Sequence, residues 1–283
     1  MTPAEFQILE TVFLIVVASL LLLALPGYAW LRLSTQKNHM DQGDDTPPPV
    51  IQPFDLIIVG FYILVFTVFL KGAESKMENL EELQMTAGLV LWSSIAMLSI
   101  AGIVPLILFW RTNLVELFGL RWTRWKSIFW IMPAFVFAMM IVGSILVACG
   151  WQIWVQDSLG AKPQEADTLV RETSDVRLLL AMAVSAIIIA PIAEELIFRG
   201  YLYPVVKQFT DRWFASIFSG ALFGVIHFNV MGLPMLALMG IILAVIYEKS
   251  GSLWVPIGCH AAFNATSVGL MLISRAYEFP TSP

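Results

Sequence analysis

Charge is scarce in this chain. Asp, Glu, Lys and Arg make up 13% of its 283 residues and hydrophobic types 58%, with a mean hydropathy of +0.80. An average soluble domain carries about 25% charged residues. A soluble protein this apolar would have too little polar surface to meet water, whereas in a bilayer the outer surface is itself apolar. Basic tracts are absent and the formal net charge is −5, so no nucleic-acid partner is expected. The two cysteines, Cys149 and Cys259, both lie in apolar stretches and do not indicate a disulfide framework. No Lys or Arg precedes Arg32, and Glu5 and Glu10 stand where a signal peptide would be basic. The first apolar run is therefore read as a retained membrane helix. No internal repeat is apparent.

What the chain has instead is long apolar runs. A span needs about 20 mainly apolar residues. Eight segments qualify, at about 8–31, 54–71, 86–110, 127–150, 177–199, 213–231, 234–249 and 254–273. The expected fold is all-α, a polytopic transmembrane helical bundle of about eight helices. Residues 1–176 form an N-terminal set of four spans, including a polar, Pro-rich linker at 34–53. Residues 177–275 form a second set of four, and 276–283 a tail. Segment 111–126 mixes Arg, Lys and Trp with Leu and Phe, which suits the headgroup level. Lys and Arg fall ten to six in favour of the connections 1–2, 3–4, 5–6 and 7–8. That asymmetry places these connections in the cytoplasm and both termini outside.

Ionisable residues inside a span are costly, by about 2.5–3.5 kcal/mol at the centre on insertion scales, and they face the bundle interior. Here they gather late in the chain. The fifth span holds Glu194, Glu195 and Arg199, the sixth His227, and the eighth His260 and Asn264. The one remaining histidine, His39, is in the linker. Glu195 and Arg199 are four apart with the acid first, which puts them on one helix face. Glu194 is turned about 100° away from Glu195. His260 and Asn264 share a face, and Phe223 precedes His227 by one turn. Glu194 and His227 lie about equally far from the turn near 209–212, so continuous helices would bring them to similar depth. Gly200 and Pro204 are expected to break the fifth helix. Pro191 is expected to kink it and free a carbonyl beside the site.

A carboxylate beside an imidazole can hold a water and remove its proton. A second imidazole and an amide can donate hydrogen bonds to a developing oxyanion. The same Glu, His and His types are also common zinc ligands, and their spacing does not decide between the two. HExxH is absent. Taken singly, each group has a bland reading: a structural ion pair, a histidine satisfying a backbone group, an asparagine joining helices. A transporter could line an ion path with the same residues, and a scaffold or immunity protein could keep them without chemistry. Many transporters repeat their polar residues in both halves. This cluster is confined to one.

Glu194-Glu195-x-x-x-Arg199, then Phe223-x-x-x-His227, then His260-x-x-x-Asn264 resemble the motifs of the CPBP family, the type II CAAX prenyl endopeptidases and bacteriocin-processing or Abi proteins. The flanks FRGYLYP and YEKSGSLWVPIGCHAAFN, and FGLRW at 118–122, are similar to family segments too. The resemblance covers about 178–270. It implies an eight-helix intramembrane protease, glutamate-type or metallo-endopeptidase, with a cavity open to membrane and cytoplasm. Carried over, Glu194 activates water and His227 helps position it. His260 and Asn264 form the oxyanion hole, and Glu195 and Arg199 support the site. The cofactor is none, or zinc on Glu194, His227 and His260. The implied partners are the lipid bilayer and a membrane-embedded or lipid-modified substrate, of which a prenylated CaaX tail is one form. A compact chain without extra domains points to a prokaryotic inner membrane.

Overall fold

The computed structural model describes residues 3–36, 51–52, 54–61, 64, 86–121, 125–161, 168–170 and 173–278. Among these there are helices and turns and no strand, so the fold is all-α. The helices are α1 (Pro3–Gln36), α2 (Ala87–Phe109), α3 (Ile128–Ala148), α4 (Trp151–Leu159), α5 (Val176–Phe209), α6 (Arg212–Val225), α7 (Leu233–Ser250) and α8 (Trp254–Glu278). Capping side chains start several of them. Thr86 accepts from Leu89 N, Asp175 from Arg177 N, and Asp211 from both Trp213 N and Phe214 N.

Six helices among the described residues are long and apolar enough to cross a membrane. They lie within or close to six of the eight expected spans, with α5 running about ten residues further, and the protein is an integral membrane protein. Half of the expected second span, 54–71, lies outside the described residues, as does most of the linker 34–53. The expected sixth span, 213–231, is the 14-residue α6, whose length of about 21 Å falls short of the ~30 Å hydrocarbon core. Past Val225 the chain tightens into a turn, with His227 N on Gly224 O and Phe228 N on Val225 O, and Phe228 at φ +49° then leaves the right-handed helical region. Large side chains such as Trp92, Trp110, Phe129, Trp130 and Phe137 face outward, as lipid contact requires.

Helix α5 is continuous over 34 residues, against the expected break at Gly200 and Pro204. The strain is absorbed instead by two π-helical turns, Ser185–Ile189 and Phe198–Leu202, on either side of the α-helical stretch Ala190–Ile197. Such turns are rare and frequent at functional sites. Pro204 causes no break because it sits in the first turn of the stretch Tyr203–Phe209 that follows the second π turn.

Helices α6 and α7 cross with their backbones nearly touching. A Cβ on Gly220 would lie 2.4 Å from Ile241 N, and one on Gly240 would lie 2.7 Å from Gly220 Cα. Gly220 and Gly224 form the small-residue stripe that permits this approach. The FGLRW segment has a similar task. Phe118 O accepts from Leu253 N at 2.9 Å, and Trp254 Nε1 donates to Leu120 O at 3.3 Å. Gly119 has φ +59°, and a Cβ there would fall 1.8 Å from Gly251 O. Gly119→Ala is therefore expected to destabilise the protein by about 2 kcal/mol or more. Unfolding in detergent measures it, and a change within about 0.5 kcal/mol, typical of surface positions, would refute the docking role.

Candidate active site

Helix α5 carries the acids where its α-helical stretch is framed by the two π turns. Glu194 is 8% exposed, Glu195 and Arg199 are fully buried, and His260 is 3% exposed. His227 and Asn264 are half-buried. Glu195 Oε1 accepts from Arg199 Nη1 at 2.8 Å and faces His260 Nδ1 at 3.0 Å. The i,i+4 pair expected from the sequence is thus present, and it binds α8 through His260. Arg199 also donates from Nη2 to Gly240 O at 2.8 Å. Its guanidinium lies 5.1 Å from the Phe223 ring centroid and 5.7 Å from that of Phe198, a cation–π arrangement. One arginine therefore ties α5 to α6 and α7. The close glycine crossing brings Gly240 and Phe223 together for it.

His260 sits between the two acids. Its Nδ1 meets Glu195 and its Nε2 lies 3.8 Å from Glu194 Oε2. The carboxylate of Glu195 accepts a hydrogen bond from Nδ1–H, which directs Nε2 toward Glu194. His227 takes a different partner from the one that equal depth would suggest. It stands beyond the end of α6, in the turn after Ile226, and its Nδ1 lies 2.6 Å from Phe223 O. A carbonyl accepts only, so Nδ1 carries the hydrogen and Nε2 of the neutral ring is left as an acceptor. No hydrogen bond or ion pair joins Glu194 directly to His227 among the described residues. The Phe223 ring links the two imidazoles, at 4.7 Å from the ring of His227 and 5.7 Å from that of His260.

Asn264 Nδ2 donates to Ala186 O at 2.7 Å. The reason lies in the first π turn. The N–H of Ala190 is committed to Ser185 O, so Ala186 O would pair next with the nitrogen of residue 191. That residue is Pro191, which has no hydrogen to give. The freed carbonyl anticipated from Pro191 is thus that of Ala186, and Asn264 satisfies it. One N–H of the amide remains for other work.

Two parts of the surroundings escaped the sequence reading. Asp55 is fully buried and accepts from Arg111 Nη1 at 2.7 and 2.8 Å, from Tyr201 Oη at 2.7 Å and from Gln52 N at 2.7 Å. It anchors the π turn that carries Arg199 to the start of the 111–126 segment. Asp55 stands at the start of the expected second span, and only its partners reveal its role. Tyr203 Oη and Lys207 Nζ both donate to Glu248, which fixes the end of α5 to that of α7. FRGYLYP and YEKSGSLW therefore meet each other.

Zinc held by Glu194, His227 and His260 would need the three side chains to converge. Among the described residues no group of three or more His, Cys, Asp or Glu is so placed. His227 is the donor that stands apart.

Residues 176–266 match the family model of the type II CAAX prenyl endopeptidase Rce1-like proteins. The chain is also similar to the "Putative membrane peptidase YdiL" of Bacillus subtilis (strain 168). The two are 28% identical over 184 residues, which is 64% of this chain and 72% of that protein. No solved structure gives a significant match. The matched segment holds every candidate catalytic residue and both π turns. Taken with the motifs and the all-α membrane fold, these likenesses support the CPBP family for the segment 176–266.

Proposed function

We propose that this protein is an intramembrane endopeptidase that hydrolyses a peptide bond of a membrane-embedded or lipid-modified substrate. The observation that carries the reading is the convergence on Glu195 Oε1, at 2.8 and 3.0 Å, of an arginine from the first motif and a histidine from the third. Glu194 is left beside them with its own carboxylate uncommitted to Arg199.

In this reading a water lies between the Glu194 carboxylate and the unprotonated Nε2 of His227. Glu194 takes its proton as the oxygen attacks the scissile carbonyl carbon, and then returns the proton to the leaving amine as the C–N bond breaks. The oxyanion receives hydrogen bonds from His260 Nε2–H and from the second N–H of Asn264. For that donation His260 must carry both ring protons, and two carboxylates face the resulting charge. Glu195 and Arg199 hold His260 in place and touch no reacting atom. The excess of Lys and Arg on the connections 1–2, 3–4, 5–6 and 7–8 supports placing those connections in the cytoplasm.

The test is cleavage, in detergent or liposomes, of a fluorogenic prenylated CaaX peptide beside an unprenylated control, each with and without a chelator. Cleavage by wild type that survives the chelator supports the glutamate mechanism. Cleavage lost with chelator and restored by zinc would replace it with the metallo reading. Cleavage of neither peptide would remove CaaX tails from the substrate class.

A further inference from the structure

His227 is the one candidate catalytic residue that no helix holds. It lies in the loop 226–232, and the next residue, Phe228, has φ +49°. A bulky residue in that region costs about 1–3 kcal/mol and persists only where its surroundings over-determine it. Part of the constraint is internal. Phe228 N donates to Val225 O at 3.1 Å, and Gly232 N to Asn229 Oδ1 at 2.8 Å.

The remainder comes from α4, which precedes the segment 176–266. This helix is bounded at both ends by left-handed glycines, Gly150 and Gly160. Trp151, Val155 and Leu159 follow one another at intervals of four and so form a single stripe. Val155 is fully buried against Val230, and Trp151, Leu159, Phe228 and Met231 pack around them in a small cluster of their own, apart from the main core. Trp151 Nε1 donates to Met231 O at 2.9 Å. The opposite face, with Ile153 66% exposed, points away.

We propose that Trp151 is a positioning residue for His227: α4 clamps the loop 226–232, and through it fixes the direction of the imidazole. The inference rests on the protease reading for its catalytic consequence, but the clamp itself can be measured without a substrate. A tryptophan at the end of a span would otherwise be an interfacial anchor. An anchor needs its indole N–H at the headgroups, whereas this one is given to a backbone carbonyl of the catalytic loop.

The variant is Trp151→Phe, which keeps an aromatic ring and removes the donor. Val155→Ala thins the same contact without touching the hydrogen bond, and Ile153→Ala on the outer face is the control. Hydrogen exchange of the full chain in detergent should show the amides of 226–232 exchanging several-fold faster in Trp151→Phe, with those of 212–225 unchanged. On the prenylated peptide kcat should fall about tenfold with KM within about twofold, the size expected for a lost buried hydrogen bond. Val155→Ala should change both readouts in the same direction by less, and Ile153→Ala neither. Unchanged exchange in 226–232 overturns the clamp. Faster exchange with an unchanged kcat overturns the positioning role. Absence of cleavage by wild type counts against the protease reading on that substrate, and the exchange result still decides the clamp.

Discussion

Glu194→Gln is expected to lower kcat by about 10²–10⁴-fold, the range a general base supplies, while KM changes little. Glutamine keeps the shape and the hydrogen-bonding capacity of the side chain but cannot take a proton from water. The fold should be untouched, because Glu194 is not the acid that pairs with Arg199. Glu195→Gln provides the contrast. It weakens the hold on His260 and Arg199 and should reduce both activity and stability. Steady-state kinetics together with melting in detergent separates the two acids. If the Glu194 and Glu195 variants lose activity equally with equal loss of stability, the assignment of the base to Glu194 fails.

Arg199→Met is expected to destabilise the protein by about 3–5 kcal/mol, the loss seen when one partner of a buried ion pair is removed. It strands the Glu195 carboxylate in an apolar interior and leaves Gly240 O without its donor. Arg199→Lys should recover little. The guanidinium reaches Glu195 with Nη1 and Gly240 O with Nη2 as a fork, and an ammonium on a flexible stem does not reproduce that geometry. The double variant Glu195→Gln, Arg199→Met should be more stable than Arg199→Met alone, since no buried charge is left without its partner. Denaturant unfolding of the three variants tests this. Equal destabilisation of the single and double variants would show that Arg199 acts through packing on Phe198 and Phe223 and not through charge.

The polar cluster was legible before any coordinates because a bilayer makes ionisable residues conspicuous. Glu195 and Arg199 stood out by spacing, and they pair as four-residue spacing requires. The freed carbonyl near Pro191 followed from a missing N–H. The pairing of Glu194 with His227 did not follow, since the depth argument takes α6 to run through residue 227 and α6 ends at Val225. Asp55 was passed over because its burial depends on Arg111 and Tyr201, which are 56 and 146 positions away. Trp151 did not stand out because its partner, Met231 O, is a backbone atom and leaves no mark on residue type.

By itself the amino-acid order determined the solvent, the helical class and the set of groups available for chemistry. Those properties follow from the cost of placing backbone and charge in hydrocarbon, and that cost is paid residue by residue. Only the tertiary structure decided which group meets which. Each π turn in α5 adds a residue to a helical turn and so rotates the helix that follows, and the crossing at Gly220 and Gly240 sets how near α7 comes to Arg199. Contacts within a few ångströms depend on these rotations and distances. Spacing along one helix does not carry them from one helix to the next.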